Sequence, residues 1–140
     1  MTFRLCAALL AGVLLASCQT KPAPAPTTSA LSHTNWTAVN INGEDVPTST
    51  TVTLDFGDGK VAGRAGCNSY GGPYEEHGAQ LAVHTLISTK MACAAPGVMA
   101  RETNYLAILG GAASYARDDR GGMVLTAKDG RTIKFMQAGS

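Results

Sequence analysis

Cys67 and Cys93, in the central part of the sequence, have side chains that can form a disulfide bond or bind a metal ion. His77 and His84 lie between them, so two cysteine and two histidine ligands are available in principle for a zinc ion. The spacing argues against a zinc site, because neither cysteine belongs to a close pair of the zinc-knuckle type. We therefore expect no metal. A disulfide bond and a pair of buried thiols remain open for the two cysteines.

A third cysteine, Cys18, ends an N-terminal segment with the layout of an export signal. Arg4 precedes an apolar run over residues 5–15, which is too short to span a bilayer, since a spanning helix needs about 20 apolar residues. The sequence Leu-Ala-Ser-Cys that ends at Cys18 resembles the bacterial lipobox, whose cysteine is lipidated and becomes the first residue after cleavage. We predict a signal peptide over residues 1–17 and a lipid anchor, palmitate included, on Cys18.

Residues 18–32 are predicted to form an extended tether between the membrane and the folded domain. Pro22, Pro24 and Pro26 alternate with alanine, a pattern that favours polyproline-like conformations. At about 3.1 Å per residue, such a tether holds the domain up to roughly 40 Å from the lipid surface. Gln19 occupies the position at which an aspartate signals retention in the inner membrane of Gram-negative bacteria. We therefore expect the outer membrane, on its periplasmic face.

Export bears on Cys67 and Cys93, because disulfides persist in oxidising compartments such as the periplasm. Once Cys18 is lipidated and Cys6 has left with the signal peptide, Cys67 and Cys93 are the two cysteines that remain. We predict a disulfide between them, which closes a loop of roughly 25 residues and stabilises the fold by about 3 kcal/mol. Two buried thiols are the alternative.

No group of residues predicts catalysis. Nucleophilic catalysis needs a serine or cysteine with a base in reach, and the chain has no Gly-x-Ser-x-Gly elbow. Glu75 and Glu76 are adjacent, so in an extended segment they point to opposite faces, and solvated surface charge is their expected role. His84 is expected on the solvent face of a strand. We predict that the protein is not an enzyme and needs no cofactor.

Charge and composition point to one folded domain without a nucleic-acid partner. Loss of Arg4 with the signal leaves 10 of the 11 Lys and Arg residues against 10 Asp and Glu. A nucleic-acid binder normally presents a basic stripe, whereas Arg117 and Arg120 are offset by two neighbouring aspartates. Hydrophobic residues make up 45% and charged residues 15%, enough apolar material for a single core over residues 33–140.

Alternation of apolar and polar residues predicts about seven short antiparallel strands. The candidates are residues 36–41, 51–56, 60–66, 80–85, 113–117, 123–127 and 131–136. Gly57-Asp58-Gly59 and Asp129-Gly130 are typical of tight hairpin turns between two pairs of them. Between Cys93 and Gly110 the apolar spacing becomes helical. The predicted fold is mainly β (β-rich α+β), a small curled antiparallel sheet or barrel-like domain with one short helix covering an end.

A glycine-rich stretch covers residues 63–72. It lacks the following helix and lysine of a phosphate loop, so its glycines are expected to allow bulges, sharp bends and close approach of strands. Asn68 is expected to cap or bridge a turn, with a place on a binding surface as the alternative. Most of the aromatic residues are expected in the core. Tyr70 and Tyr74 become candidate recognition residues if they project from the stretch, because exposed aromatic side chains often anchor contacts.

The sequence GRAGCNSYGGPY over residues 63–74, followed by Leu81, Val83 and STKMAC over residues 88–93, resembles the META domain family, which includes heat-shock protein HslJ. The resemblance runs from Trp36 to Phe135 and includes, in the predicted helix, Glu102, Tyr105, Leu106 and Leu109. It implies a compact β-rich domain with one helix, exported and often lipid-anchored, and associated with heat response and antibiotic tolerance. It brings no catalytic or cofactor residue with it.

These features predict a membrane-anchored envelope lipoprotein with a non-catalytic META domain. Its expected role is binding or scaffolding in heat, envelope-stress or antibiotic tolerance, with an envelope protein as its partner. The alternative is an inhibitor of a periplasmic hydrolase or a carrier of a small amphiphile. A protruding loop or an apolar cavity would favour that alternative.

Overall fold

The computed structural model describes residues 29–139. The predicted signal peptide, Cys18 and most of the predicted tether therefore lie outside the described residues. Among those that are described, no helix combines the length and the apolar character that crossing a bilayer requires.

Residues 29–139 contain ten strands and one helix, and all seven predicted strands are present with ends displaced by no more than two residues. In chain order the elements are β1 (Thr34–Ile41), β2 (Glu44–Asp45), β3 (Thr53–Phe56), β4 (Lys60–Arg64), β5 (Ser69–His77), β6 (Gln80–Val83), β7 (Ile87–Ser88), α1 (Val98–Gly110), β8 (Ala112–Arg117), β9 (Gly122–Ala127) and β10 (Thr132–Gln137). The predicted turns are correct, since Gly59 (φ 69°) and Gly130 (φ 86°) adopt the left-handed backbone that tight hairpins need.

Eight strands close into an antiparallel barrel, which confirms the predicted barrel-like fold. The order around the ring is β1, β3, β4, β5, β6, β8, β9 and β10, and β10 pairs back with β1. The closing ladder joins Trp36 with Gln137 and Ile41 with Ile133, with a register shift between Ala38 and Asn40. The two short strands lie off this ring, β2 on β1 and β7 on β5.

Strand alternation fills the interior of the barrel with apolar side chains. In β3, Leu54 and Phe56 are buried, whereas Thr53 and Asp55 are only partly covered. The largest fully buried side chains are Trp36, Tyr105, Phe135, Leu31, Ile41, Leu54, Leu81, Ile108, Leu109, Met123, Leu125 and Ile133. Because these side chains come from the strands, the helix and the segment before β1, one continuous core holds all parts of the domain together.

The glycine-rich stretch contains the predicted bend, at residues 66–68, where Gly66 has a φ of 112°. It then leads into β5, the longest strand, which the sequence does not predict. Its glycines allow neighbouring chain segments to approach closely. A Cβ at Gly63 would lie 2.1 Å from the carbonyl oxygen of Thr53, and one at Gly72 would lie 2.6 Å from that of Thr85. Real side chains do not tolerate such distances. Glycine is therefore required at position 63, where β3 passes, and at position 72, where the segment after β6 passes.

Helix α1 closes one end of the barrel, as predicted. The hydroxyl of the fully buried Tyr105 lies 2.6 Å from that of Tyr70 and 3.2 Å from the carbonyl oxygen of Thr53. Thr53 and Tyr70 lie at the starts of β3 and β5, and the helix also contacts β1, β6, β9 and β10. Since α1 reaches strands all round the ring, it lies across this opening, which we call the helix end.

Residues 29–32 close the opposite opening, which we call the tether end. Leu31 is fully buried there, although the sequence assigns it to the tether. Glu76, near the end of β5, accepts hydrogen bonds from the backbone N–H groups of Ala30 (3.2 Å) and Leu31 (3.3 Å). The packed structure thus includes residues from Ser29 onward, four positions before the predicted start of the domain at residue 33.

Candidate functional site

A surface groove runs between helix α1 and the segment that contains β7. It consists of two cavities of about 660 and 380 Å³, which share Ser88, Lys90 and Leu106 in their linings. Both volumes fall in the range of ligand pockets. We call this feature the β7–α1 groove. Further lining residues are Val83, His84, Leu86, Ala107 and Gly110 in the larger cavity and Asn68, Met91, Met99, Glu102 and Thr103 in the smaller one.

The groove exists because β6 and β8 separate. The two strands pair at Gln80 and Ser114, after which the chain continues past Val83 to β7. β7 pairs with β5 and, within residues 29–139, has no other partner strand. Helix α1 stands across from it, with Leu106 and Ala107 lining the opposite wall. One stretch of the barrel wall is thus lined by a strand on one side and a helix on the other.

Large apolar side chains are exposed beside this opening. Ile87 on β7 is 76% exposed, and Met91 and Met99 at the smaller cavity are also exposed. Methionine side chains are flexible and polarizable, which suits a surface that adapts to a partner. Exposed apolar surface with a polar rim is typical of an interaction site.

A buried polar network fixes the floor of the smaller cavity. The carboxylate of Glu102 accepts the backbone N–H of Asn68 at 2.9 Å and its side-chain amide at 2.7 Å. The side-chain oxygen of Asn68 in turn accepts the Thr89 hydroxyl at 2.7 Å and the Met91 N–H at 2.8 Å. Asn68 therefore has the predicted bridging role, and although it lines the smaller cavity it is buried, with its side-chain amide bonded within the wall.

Tyr70 and Tyr74 do not project, so they belong to the core as expected for most of the aromatic residues, and the condition for a recognition role is not met. Their exposed fractions are 5% and 6%, because both point into the barrel from β5. The Tyr70 hydroxyl donates to the Thr53 carbonyl at 2.7 Å, and the Tyr74 hydroxyl donates to the Gly57 carbonyl at 3.2 Å. Burial raises the pKa of Tyr70 far above its ordinary value, and the hydrogen bond with Tyr105 offsets only part of the rise.

Cys67 and Cys93 are brought together beside this network. Their sulfur atoms lie at disulfide-bonding distance and their Cα atoms 6.3 Å apart, a separation usual for disulfides. This geometry supports the predicted disulfide over two separate thiols. The bond ties the residue before Asn68 to the segment that leads into α1. Within residues 29–139, no three His, Cys, Asp or Glu side chains form a group that could hold a metal ion.

The two adjacent glutamates have different surroundings, since they point to opposite faces as predicted. Glu75 is exposed, and its carboxylate lies 3.4 Å from Nε2 of His84, which is itself on the surface as expected. Glu76 is not the solvated charge that the sequence predicts, because it accepts hydrogen bonds from the hydroxyls of Ser29 and Tyr115 besides the two backbone N–H groups.

Hydrogen bonding sets the acidity of Glu76. Burial raises the pKa of this carboxyl, but the bonds from Ser29, Tyr115 and the N–H groups of residues 30 and 31 outweigh burial and hold the pKa below its ordinary value. Burial, together with the hydrogen bond to Glu76, raises the pKa of Tyr115 to about 12. The carboxylate of Glu76 is therefore charged at neutral pH when residues 29–32 are packed on the barrel.

Sequence reasoning missed Glu102 and Glu76 as structural centres. Glu102 was detectable, because Glu102, Tyr105 and Leu109 follow the i, i+3, i+7 spacing of a buried helix face. A carboxylate on a buried helix face needs a hydrogen-bond donor, because a buried charge without a partner is costly. Glu76 gave no comparable signal, since its partners lie more than 35 residues away along the chain.

The model of the META domain family matches residues 29–140, which include both ends of the barrel and the β7–α1 groove. A comparison with curated proteins gave no match. Among solved structures, the NMR structure of a protein from Burkholderia xenovorans is similar, with a TM-score of 0.66 and 25% identity over 91% of this chain and 100% of that chain.

A crystal structure of a DUF4847 family protein from Bacteroides vulgatus is similar in fold, with a TM-score of 0.55 and 15% identity over 79% of this chain and 96% of that chain. A further NMR structure has a TM-score of 0.62 and 21% identity over 76% and 90%. Both likenesses concern the fold alone. The family model, by contrast, spans the greater part of the sequence. The chain belongs to the META domain family.

Proposed function

We propose that the protein is an envelope lipoprotein, anchored to the outer membrane through Cys18, whose META domain binds a protein partner without catalysing a reaction. The positions of the two barrel ends carry this proposal. The chain that follows Cys18 enters the domain at Ser29, at the tether end, where Glu76 holds it. Asn68 and Glu102, which floor part of the β7–α1 groove, lie at the helix end. An anchor on Cys18 would thus leave that part of the groove directed away from the lipid.

The cysteine pair supports the proposed export. Disulfides persist outside the reducing cytoplasm, and Cys67 and Cys93 are placed for one. The role in heat, envelope-stress or antibiotic tolerance rests on the family resemblance and belongs to the same proposal.

The filled interior of the barrel weighs against the carrier alternative. Tyr105 packs edge-to-face against Tyr70 and Phe135 in the centre, with ring centroids 5.6 and 6.5 Å apart. A small amphiphile carried inside would have to displace these rings. The groove, by contrast, is open to solvent. Its lining includes His84, whose Nε2 faces the carboxylate of Glu75 on the protein surface. These features favour binding at the surface.

Replacement of the anchoring cysteine tests the proposed location. We expect wild-type protein to incorporate labelled palmitate and to fractionate with the outer membrane, whereas Cys18→Ser protein does neither. Cys6→Ser is the matched control, because Cys6 lies within the proposed signal peptide and its loss should leave anchoring intact. Membrane fractionation of Cys18→Ser protein at the wild-type level would contradict the anchor.

Site-specific photocrosslinking in living cells tests the proposed binding role. A photoreactive residue at position 87, beside the groove, is compared with one at position 136 on β10, where Met136 is an exposed apolar residue away from it. We expect one defined protein adduct from position 87 and none from position 136. Equal adducts from both positions, or a lipid adduct alone, would contradict a groove-specific protein partner.

A further inference from the structure

We propose that the β7–α1 groove takes up an extended segment of another protein as an added β-strand on the free edge of β7. This inference rests on the binding role proposed above and names the chemistry of the partner. The segment carries apolar residues at alternate positions and an acidic residue that meets Lys90.

The backbone of β7 presents one edge to the groove. The Thr89 N–H donates to a carbonyl of β5 at 3.0 Å, and Ile87 pairs with the same strand. Backbone groups of an extended chain alternate between its two sides, so those of Ser88, and by the same alternation those of Lys90, point away from β5. Ser88 and Lys90 both line the groove. An edge of this kind is the template for strand addition.

Helix α1 does not satisfy that edge. Leu106, Ala107 and Gly110 line the wall across from it, and they belong to a helix whose backbone groups bond within the helix itself. The helix therefore offers side chains but not a ladder of main-chain hydrogen bonds. A strand lying between β7 and α1 would bond to β7 on one side and place apolar side chains against Leu106 on the other.

Charge selects the side chains of the added strand. Lys90 lines both cavities, and none of the salt bridges formed by the described residues involves it. The carboxylate in the smaller cavity, Glu102, is already bonded to Asn68. His84, in the larger cavity, faces the carboxylate of Glu75 at 3.4 Å, so Lys90 is the basic group left for a partner. The exposed charge that a partner meets is therefore positive, which matches an acidic residue in the incoming segment.

A pair of peptides tests the added strand directly. The probe is a blocked hexapeptide of alternating valine and threonine in which one threonine is replaced by glutamate. The control has the same side chains but is N-methylated at every amide, so that neither of its edges can donate to a ladder. Each is titrated into the full mature chain with Cys18→Ser, and backbone amide shifts are followed by NMR. We expect saturable shifts at Ser88 and Lys90 and an affinity at least about tenfold lower for the methylated peptides, from the loss of two or more hydrogen bonds.

Charge reversal at the rim provides a second test that does not disturb the fold, because Lys90 is exposed. Lys90→Glu should lower the affinity for the glutamate peptide about threefold and raise that for the same hexapeptide with lysine in place of glutamate. Lys134→Glu, an exposed site on β10, is the control and should change neither. Unchanged selectivity in the Lys90 variant would remove the charge argument.

Three outcomes overturn the proposal. Equal affinity of plain and methylated peptides would indicate side-chain binding without a ladder, and absence of shifts at millimolar peptide would exclude the site. Shifts at Ser88 that grow with protein concentration alone would assign the edge to a second copy of the chain. Because the titration uses unlipidated protein, its failure is separate from that of the anchor, which membrane fractionation decides.

Discussion

The two ends of the barrel are closed by different means. At the helix end, a helix of 13 residues inserts Tyr105, Ile108 and Leu109 into the core, and the Cys67–Cys93 pair ties down the segment before it. At the tether end, residues 29–32 contribute one buried leucine, held mainly by one carboxylate. Burial of several large side chains stabilises far more than burial of one. The helix end therefore carries more of the stability, and the tether end is the part expected to open locally.

Both ends use a glutamate to bind backbone N–H groups, but in contrasting surroundings. Glu102 is buried and reaches from the helix to the start of β5. Glu76 is half-buried and reaches from β5 to the incoming chain. A buried carboxylate that loses its donors is costly, which fixes the helix in one position. A half-buried one exchanges its donors for water more readily, so it forms a weaker closure.

The largest effect is expected from Tyr105→Ala at the helix end. Removal of this fully buried ring from the centre of the core should lower the free energy of unfolding by about 3–5 kcal/mol, measured by urea denaturation. Tyr105→Phe removes only the hydroxyl that meets Tyr70, so it should lower the same quantity by about 1 kcal/mol. If the two variants were equally stable, the helix end would not depend on the packing of this ring.

Loss of the disulfide is expected to loosen the same end. In the Cys18→Ser background, Cys67→Ala with Cys93→Ala should lower the free energy of unfolding by about 3 kcal/mol, because the bond closes a loop between residues separated by 26 positions. Hydrogen exchange should quicken at Met91 and in the first turn of α1, while the amide of Leu31 keeps its wild-type rate. Faster exchange at both ends alike would contradict their independence.

Leu31→Ala tests the tether end with a side chain that is also fully buried. We expect a loss of about 2 kcal/mol in the free energy of unfolding, at the low end of the usual range for leucine. The terminal segment can detach as a unit, and this local opening limits the penalty. Leu54→Ala is the matched control, since Leu54 is as fully buried but lies within β3, where the wall cannot detach. If Leu31→Ala lowered the free energy of unfolding as much as Leu54→Ala or more, the tether end would not open more readily than the barrel wall.

The sequence predicts the barrel better than its openings, because alternation and turn chemistry are local. Residues 51–56 and 123–136 alternate around glycine turns, and these strands are confirmed. β5 escapes this reasoning because its glycines and Pro73 resemble a loop, although the close approach of chain segments predicted at the glycines is present at Gly63 and Gly72. Tyr70 and Tyr74 lie in the core, as expected for most of the aromatic residues, because β5 directs both of them inward.

The groove could not be predicted from local patterns. It arises where β6 and β8 diverge, after Gln80 in β6 and before Ser114 in β8. Pairing between strands more than 30 residues apart leaves no periodic signal in the sequence. Pairing of Cys67 with Cys93 was predictable because the proposed compartment and an even count limit the choices. The closure by residues 29–32 was hidden within a segment whose prolines suggest an extended tether.

The smallest effect is expected from Glu76→Gln, which keeps the shape of the side chain but removes the charge that binds the incoming chain. At neutral pH we expect the free energy of unfolding to fall by less than about 1 kcal/mol, because solvent screens this half-exposed site. Hydrogen exchange at Ala30 and Leu31 should quicken, whereas exchange in α1 should not change. Glu75→Gln, beside it but on the outer face with His84, is the matched control and should leave the tether end unchanged.

The pH dependence of this difference identifies its cause. The pKa of Glu76 in the folded protein lies below its ordinary value of 4.5, so its contribution to stability is complete above that value and is lost as the pH falls through the folded pKa. The gap in stability between wild type and Glu76→Gln should therefore be constant near neutral pH and shrink below about pH 4.5. If the difference in stability persisted in acid, the glutamine variant would be destabilised by its packing rather than by its lost charge. The tether end would then depend on packing, as the helix end does.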